Sequence, residues 1–221
     1  LGQYHAPTLF TKVTDQHDEI VFEYDSSPTM AISEDTATVM NKLLQTVVYG
    51  SRGTGAAARN TVKDMKIFAK TGTSNNSNDL WFVGGTPYYV GSCWCGYDEQ
   101  QNISNAGIAR VMWSAVMSKI HNGLEPKEFE VSSYATERYY CTSTGLLATS
   151  ACPSKSIGWY KKSNTPGSCT AHAGAALKTP AEIKKAEEEK KAAESSKAES
   201  TSSSSSTSSA SSTSSKTESN R

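Results

Sequence analysis

Met65-Lys66-Ile67-Phe68-Ala69-Lys70-Thr71-Gly72-Thr73-Ser74 reads as a strand with a polar end. Residues 65–69 are rich in apolar and aromatic types and alternate in part, as a half-buried strand does. The strand then runs into a cation, two hydroxyls and a glycine. Such an edge suits an anion: Lys70 supplies charge, Thr71 and Thr73 supply donors, and Gly72 removes the Cβ that would hinder close approach to the backbone. A free N–H on the same edge would also face a developing oxyanion. On its own the tripeptide Lys-Thr-Gly is weak, because an edge strand that ends in a polar turn has the same composition.

The neighbouring sequence adds two more strand-like runs. Asp79-Leu-Trp-Phe-Val-Gly-Gly-Thr-Pro87 follows after the turn-rich connector Ser74–Asn78, and Tyr88-Tyr-Val-Gly-Ser-Cys-Trp-Cys-Gly-Tyr-Asp98 comes next. Short connectors and alternating patterns predict an antiparallel meander of three sequential strands. Cys93 and Cys95 share one face of the last strand, too extended for an unstrained mutual disulfide, so both are expected as buried thiols. A helix is expected over 106–121, with Ile108, Val111, Met112, Ala115, Val116 and Ile120 as its apolar stripe and Trp113 and Met117 also in the core. A second helix is expected after Ser33, an N-cap with Glu34 and Asp35 in the first turn. Its core stripe is Ala37, Met40, Leu43, Leu44, Val47 and Val48, and Gly50 is the stop. Upstream, residues 9–14 and 19–24 read as a β-hairpin about the turn 15–18, and His5 and His17 lack partners at metal-ligand spacing.

In this order, Lys-Thr-Gly-Thr, Asp-x-Trp-Phe-Val-Gly-x-Thr-Pro and Trp-x-Gly-Tyr-Asp resemble the penicillin-binding transpeptidases. The match is to the C-terminal part of their bifunctional, class A members, over about residues 1–135 and more weakly to about residue 175. The resemblance implies an α/β (α+β) fold, an antiparallel sheet flanked by helices as in the serine β-lactamases. It also implies serine acyl transfer on peptidoglycan stem peptides ending in D-Ala-D-Ala, with β-lactam antibiotics as mimics of that terminus and no cofactor. Lys70 and Thr73 take catalytic positions in the motif, and Thr71, Gly72 and Thr73 take substrate-binding ones. Ser51-Arg-Gly-Thr-Gly55 lacks the context of a phosphate loop; relatives carry Gly-Thr-Gly here, in a turn leading back to the site.

The chain departs from the family in one respect. The nucleophile motif Ser-x-x-Lys does not occur before Lys70, and Ser74-Asn-Asn and Ser77-Asn follow the lysine strand, out of order for the second motif, Ser-x-Asn. The expectation is therefore one site motif of three, a fragment inactive alone, with a membrane anchor upstream of Leu1 and a location on the extracytoplasmic face of the cell membrane. The alternative is a non-catalytic wall or partner-binding module derived from the same fold. A serine β-lactamase fits less well, since that class needs neither a cysteine-bearing segment nor a Ser-rich end.

Composition divides the chain further. Of 221 residues, 22 are basic and 22 acidic, and no basic patch interleaved with aromatics argues for nucleic acid. Residues 1–135 form the transpeptidase portion, 136–176 a small cysteine-containing extension, and 177–221 a charged, then Ser/Thr-rich tail expected to be disordered, though 182–194 has the composition of a flickering helix. Similar Cys-rich ends occur in some clostridial-type relatives, and export permits disulfides. The extension carries Cys141, Cys152, Cys169 and His172. The ten residues between Cys141 and Cys152 exceed the usual zinc-knuckle gap, while Cys169-x-x-His172 suits a metal. A Cys141–Cys152 bridge is placed ahead of a metal set of all four, no metal is assigned, and five cysteines leave one odd.

Overall fold

The computed structural model describes residues 1–202, with side chains for residues 1–193. The Ser/Thr-rich run 203–221, expected to be disordered, lies outside the described residues. At the centre is an antiparallel meander of β5 (Phe68–Thr73), β6 (Leu80–Gly85) and β7 (Val90–Cys95), in that spatial order. Lys70 pairs with Val83 and Gly72 with Trp81, which in turn pairs with Trp94. Alternation sends Ala69, Leu80 and Phe82 to one face, where they are fully buried with Val48, Ile67, Trp113 and Met117. The opposite face carries Lys70, Trp81 and Trp94; the two indoles stay 46% and 45% exposed.

Two helices supply that core. One, α1 (Glu34–Tyr49), starts after Ser33 and stops at Gly50, as its sequence predicts. Ser33 does not cap through its side chain; the hydroxyl bonds the Asp35 carboxylate and Thr36 instead. Gly50 serves by close approach, since a Cβ there would lie 2.5 Å from the Thr46 carbonyl oxygen. Val48 is fully buried, but Met40 and Leu43 face outward.

The other helix, α2 (Ile108–Ile120), buries Ala109, Trp113 and Met117. Trp113 and Met117 are core as expected and Ile108 packs half-buried against them, while Val111, Met112, Val116 and Ile120 of the expected stripe face outward and lie about half exposed. The reason is that α2 is apolar nearly all round, so periodicity alone does not choose its face. The sheet chooses it through Trp113, whose indole N–H donates to the carbonyls of Gly84 at 3.2 Å and Gly91 at 3.1 Å.

Around this block lie three antiparallel pairs. The expected hairpin is present as β2 (Lys12–Thr14) with β3 (Ile20–Glu23), and Asp18 takes a positive φ of 63° in its turn. It is flanked by β1 (Gln3–Tyr4) paired with β4 (Thr29–Met30). After α2, β8 (Ala135–Cys141) and β9 (Lys155–Lys161) form a two-stranded ribbon docked on α1. The dock includes Lys161 to Asp35 at 3.5 Å and the Lys42 ammonium 4.9 Å above the Trp159 ring.

The charged segment is a helix, α3 (Pro180–Ser202). It opens with a capping box: the Thr179 hydroxyl accepts from the Glu182 N–H at 3.1 Å and the Glu182 carboxylate accepts from the Thr179 N–H at 2.7 Å. Pro180 sits at the first helical position, where no N–H is needed. No described helix is long and apolar enough to cross a membrane.

Candidate active site and a cysteine cluster

Lys70 lies on β5, an end strand of the sheet, with its side chain exposed. The ladder sets the direction of every polar group beside it. Ser74 donates its N–H to the Asp79 carbonyl at 3.0 Å, which makes 74/79 a hydrogen-bonded pair. Antiparallel pairs alternate, so in the same register Gly72 and Lys70 bond to β6 while Thr71 and Thr73 turn both N–H and C=O away from it. The motif thus displays the amides of its two threonines at the strand edge. The Lys70 ammonium rests on one of those groups, donating to the Thr71 carbonyl at 2.7 Å. Among the described residues Lys70 forms no ion pair. Its charge is uncommitted.

The Thr71 hydroxyl meets the Thr54 hydroxyl at 2.8 Å. Gly53-Thr54-Gly55 therefore returns to the lysine strand, and Thr54 joins the site from a segment that the motif alone does not name. The flanking glycines make the turn possible: a Cβ at Gly53 would lie 2.3 Å from the Val47 carbonyl oxygen. Gly72 has a different reason from the one its motif suggests. A Cβ there would lie 3.0 Å from Cβ of Trp81 across the strand pair, so the glycine accommodates a large neighbour on the outward face. Asp79 holds the adjoining corner, accepting from the Ser74 hydroxyl at 3.0 Å and the Trp94 indole at 3.1 Å. A cleft of about 770 Å³ lined by Tyr49, Arg59, Lys63, Asp64, Lys66 and Glu128 contains none of the Lys-Thr-Gly-Thr residues.

Cys93 and Cys95 are free thiols, half-buried against the core face of β7. The other three cysteines are free and buried, Cys141 at the end of β8, Cys152 in the loop before β9 and Cys169 beyond it, with no Cys141–Cys152 bond between them in the structure. Instead Sγ of Cys141, Cys152 and Cys169 and a ring nitrogen of His172 all lie within 4.8 Å of one another. The Cys141 thiol is held down to about 6, chiefly by the Thr144 hydroxyl, with burial opposing and the Ser143 and Thr144 amides assisting. Cys169 is lowered by the Thr144 hydroxyl and by His172, and His172 is raised by its hydrogen bonds to Cys169 and Cys141.

The strand ending in Lys-Thr-Gly-Thr is thus the edge of an antiparallel meander that carries helices on one face. Residues 1–108 match the family model described as the penicillin binding protein transpeptidase domain, and that portion of the chain belongs to the family. Its relatives sharpen the assignment to the class A kind. Penicillin-binding protein 1A of Clostridium tetani is 31% identical over 184 residues, which is 78% of this chain and 23% of that protein. Penicillin-binding protein 1A of Clostridium acetobutylicum is 33% identical over 147 residues, 65% of this chain and 18% of the relative. The chain thus spans less than a quarter of the length of these relatives. The crystal structure of penicillin-binding protein 1A from Haemophilus influenzae superposes with a TM-score of 0.62 at 19% identity, covering 75% of this chain and 30% of that one, and supports the fold.

Proposed function

We propose that this chain supplies the lysine strand of a D,D-transpeptidase that cross-links peptidoglycan stem peptides by serine acyl transfer. The observation that carries the reading is the β5 edge, where an uncommitted ammonium lies beside two threonines whose backbone amides point away from the sheet. In the reaction a serine Oγ attacks the penultimate carbonyl of a D-Ala-D-Ala terminus and expels D-Ala. An amine of a neighbouring stem then attacks the acyl-serine, forming the cross-link and releasing the serine.

Lys70 steadies the substrate carboxylate and assists proton transfer, and the Thr71 and Thr73 hydroxyls bind the same carboxylate. The Thr73 N–H stabilises the oxyanion; a positioned donor of that kind contributes about 3 kcal/mol to lowering the barrier. Thr54, bonded to Thr71, fixes the orientation of that hydroxyl. β-Lactams acylate the same serine. These 221 residues hold no Ser-x-x-Lys ahead of Lys70, so the serine comes from outside them and the chain is inactive alone. The site works at the outer face of the cell membrane.

Fluorescent penicillin followed by a denaturing gel tests this reading. The 221-residue chain remains unlabelled, and a labelled band would show that a nucleophile within it has been missed. A longer polypeptide that joins a Ser-x-x-Lys segment to this chain labels, and Lys70→Ala slows that labelling at least about 100-fold while melting temperature holds. Lys70→Arg retains more activity than Lys70→Ala, though less than lysine, because the guanidinium keeps the charge in a wider fork. Undiminished acylation in Lys70→Ala defeats the assignment.

A further inference from the structure

We infer that Cys141, Cys152, Cys169 and His172 form a structural zinc site that closes the β8–β9 ribbon. A two-stranded ribbon is marginal in water unless something closes its core. Here the fully buried apolar residues are Cys141, Ala148, Cys152 and Cys169, with Tyr139, Leu146 and Leu177 packed around them. Three of the four buried groups are thiols. Such a core is too small to hold by apolar burial, and its chemistry is that of a ligand set.

The geometry fits zinc. An ion about 2.3 Å from each sulfur and about 2.0 Å from a nitrogen sets tetrahedral edges of about 3.8 Å between sulfurs and about 3.5 Å from sulfur to nitrogen. Nδ1 of His172 lies 3.6 Å from Sγ of Cys141 and 3.4 Å from Sγ of Cys169. All four donor atoms fall within 4.8 Å of one another, and three thiolates with one imidazole is a common structural zinc set. A disulfide would consume two of the sulfurs and leave the third buried beside an imidazole with no partner for their convergence. Soft sulfur donors also exclude magnesium and calcium.

The surroundings supply the outer contacts that orient such ligands. The Thr149 N–H donates to Sγ of Cys152 at 3.3 Å, and the Thr144 hydroxyl donates to Sγ of Cys169 at 3.4 Å. The Thr149 hydroxyl also donates to the His172 carbonyl, fixing the loop that carries the ring. Gly145, at φ +75°, turns the chain directly after Cys141, and its N–H bonds the Cys141 carbonyl at 2.8 Å. One ion would then tie together the end of β8, the loop 142–154 and the segment 162–176, joining parts that the ladder alone leaves separate. Binding displaces any thiol protons to solvent and leaves no change in oxidation state.

The 221-residue chain, isolated under reducing conditions with zinc sulfate and then desalted, should retain one zinc per chain by elemental analysis. Cobalt(II) in place of zinc should give thiolate charge-transfer absorption and the intense visible bands of a tetrahedral site. Cys141→Ser and Cys169→Ser each lose at least about tenfold in zinc affinity, whereas Cys93→Ser retains the ion and His172→Cys keeps it through a fourth thiolate. The wild-type metal count decides the matter even where a variant fails to fold. A reduced chain that binds no zinc overturns the site, as does zinc that survives loss of Cys141 and Cys169. So does an aerobic preparation with a disulfide among these residues whose reduced form still takes up no zinc. None of these readouts involves acylation, so the outcome stands apart from the transpeptidase reading.

Discussion

The meander and the ribbon are both antiparallel and follow one another in the chain, yet they are held by opposite means. The β5–β7 sheet buries Phe82, Leu80, Ile67 and Trp113 under two helices. The β8–β9 ribbon has three thiols and one alanine at its centre. Burial of apolar area holds the first, each large side chain contributing about 1.5–3 kcal/mol. On the zinc inference, ligand convergence holds the second. Apolar packing is indifferent to chelators; a ligand cluster is not. The two meet at the start of α1, where Lys161 pairs with Asp35 and the Ser132 N–H donates to the buried Thr38 hydroxyl at 3.0 Å.

Substitutions chosen on each side should separate the two modes. Trp113→Ala has the largest expected effect, about 3–5 kcal/mol of sheet stability, because it empties the space under Phe82 and removes both indole hydrogen bonds. Hydrogen exchange should show loss of protection in β5–β7 with protection in β8–β9 kept; equal loss in both would show one cooperative unit. Gly84→Ala places a Cβ 3.0 Å from the Trp113 ring and 3.1 Å from the Phe68 carbonyl oxygen, and should cost about 1–3 kcal/mol by denaturant titration. A neutral result would mean that the indole shifts freely and is no fixed hook.

Thr179→Ala removes half of the α3 capping box, worth about 1 kcal/mol, and should fray the helix start by circular dichroism without touching the sheet. The smallest effect is at the joint. The Asp35 carboxyl is held below its ordinary value, first by the Ser33 hydroxyl, with burial opposing and the Thr36 amide and Lys161 assisting. A depressed carboxylate contributes stability that is complete above the unfolded value of about 3.9 and is lost as pH falls through the folded one. Asp35→Asn should flatten that acid-side slope of melting temperature below about pH 4. An unchanged slope would place the joint's strength elsewhere, at Thr38 and Trp159.

How much of this was legible depends on whether a feature is local in sequence. The lysine strand, its two successors and the hairpin about residues 15–18 were readable because alternation and short connectors are local properties. The start and stop of α1 were readable for the same reason. The outward face of α2 was not: Val111, Met112 and Val116 carry the same apolar signal as Trp113, and only the carbonyls of Gly84 and Gly91 tell them apart. Thr179-x-x-Glu182 is a local signal that a reading attentive only to an apolar face passes over. Thr54 is legible only as part of a returning turn, since its bond to Thr71 crosses 17 positions. The cysteine cluster was legible as a set of four residues but not as an arrangement. Its sequence leaves a Cys141–Cys152 bridge and a four-residue metal set both open, and the reversal at Gly145 and the loops beyond it bring all four donors together.

The forked indole bond of Trp113 carries a consequence for α2 as a moving part. A cylinder that is greasy on every side can roll on a greasy floor at little cost, so shape alone gives it poor bearings. One N–H shared between two facing carbonyls acts as a pin through the axle. Rolling or sliding α2 by a single residue would strip both acceptors at once from an indole N–H that is buried in the core. The helix is therefore locked in azimuth by one atom, and its second oily flank, Val111 to Ile120, keeps a fixed heading relative to the lysine strand.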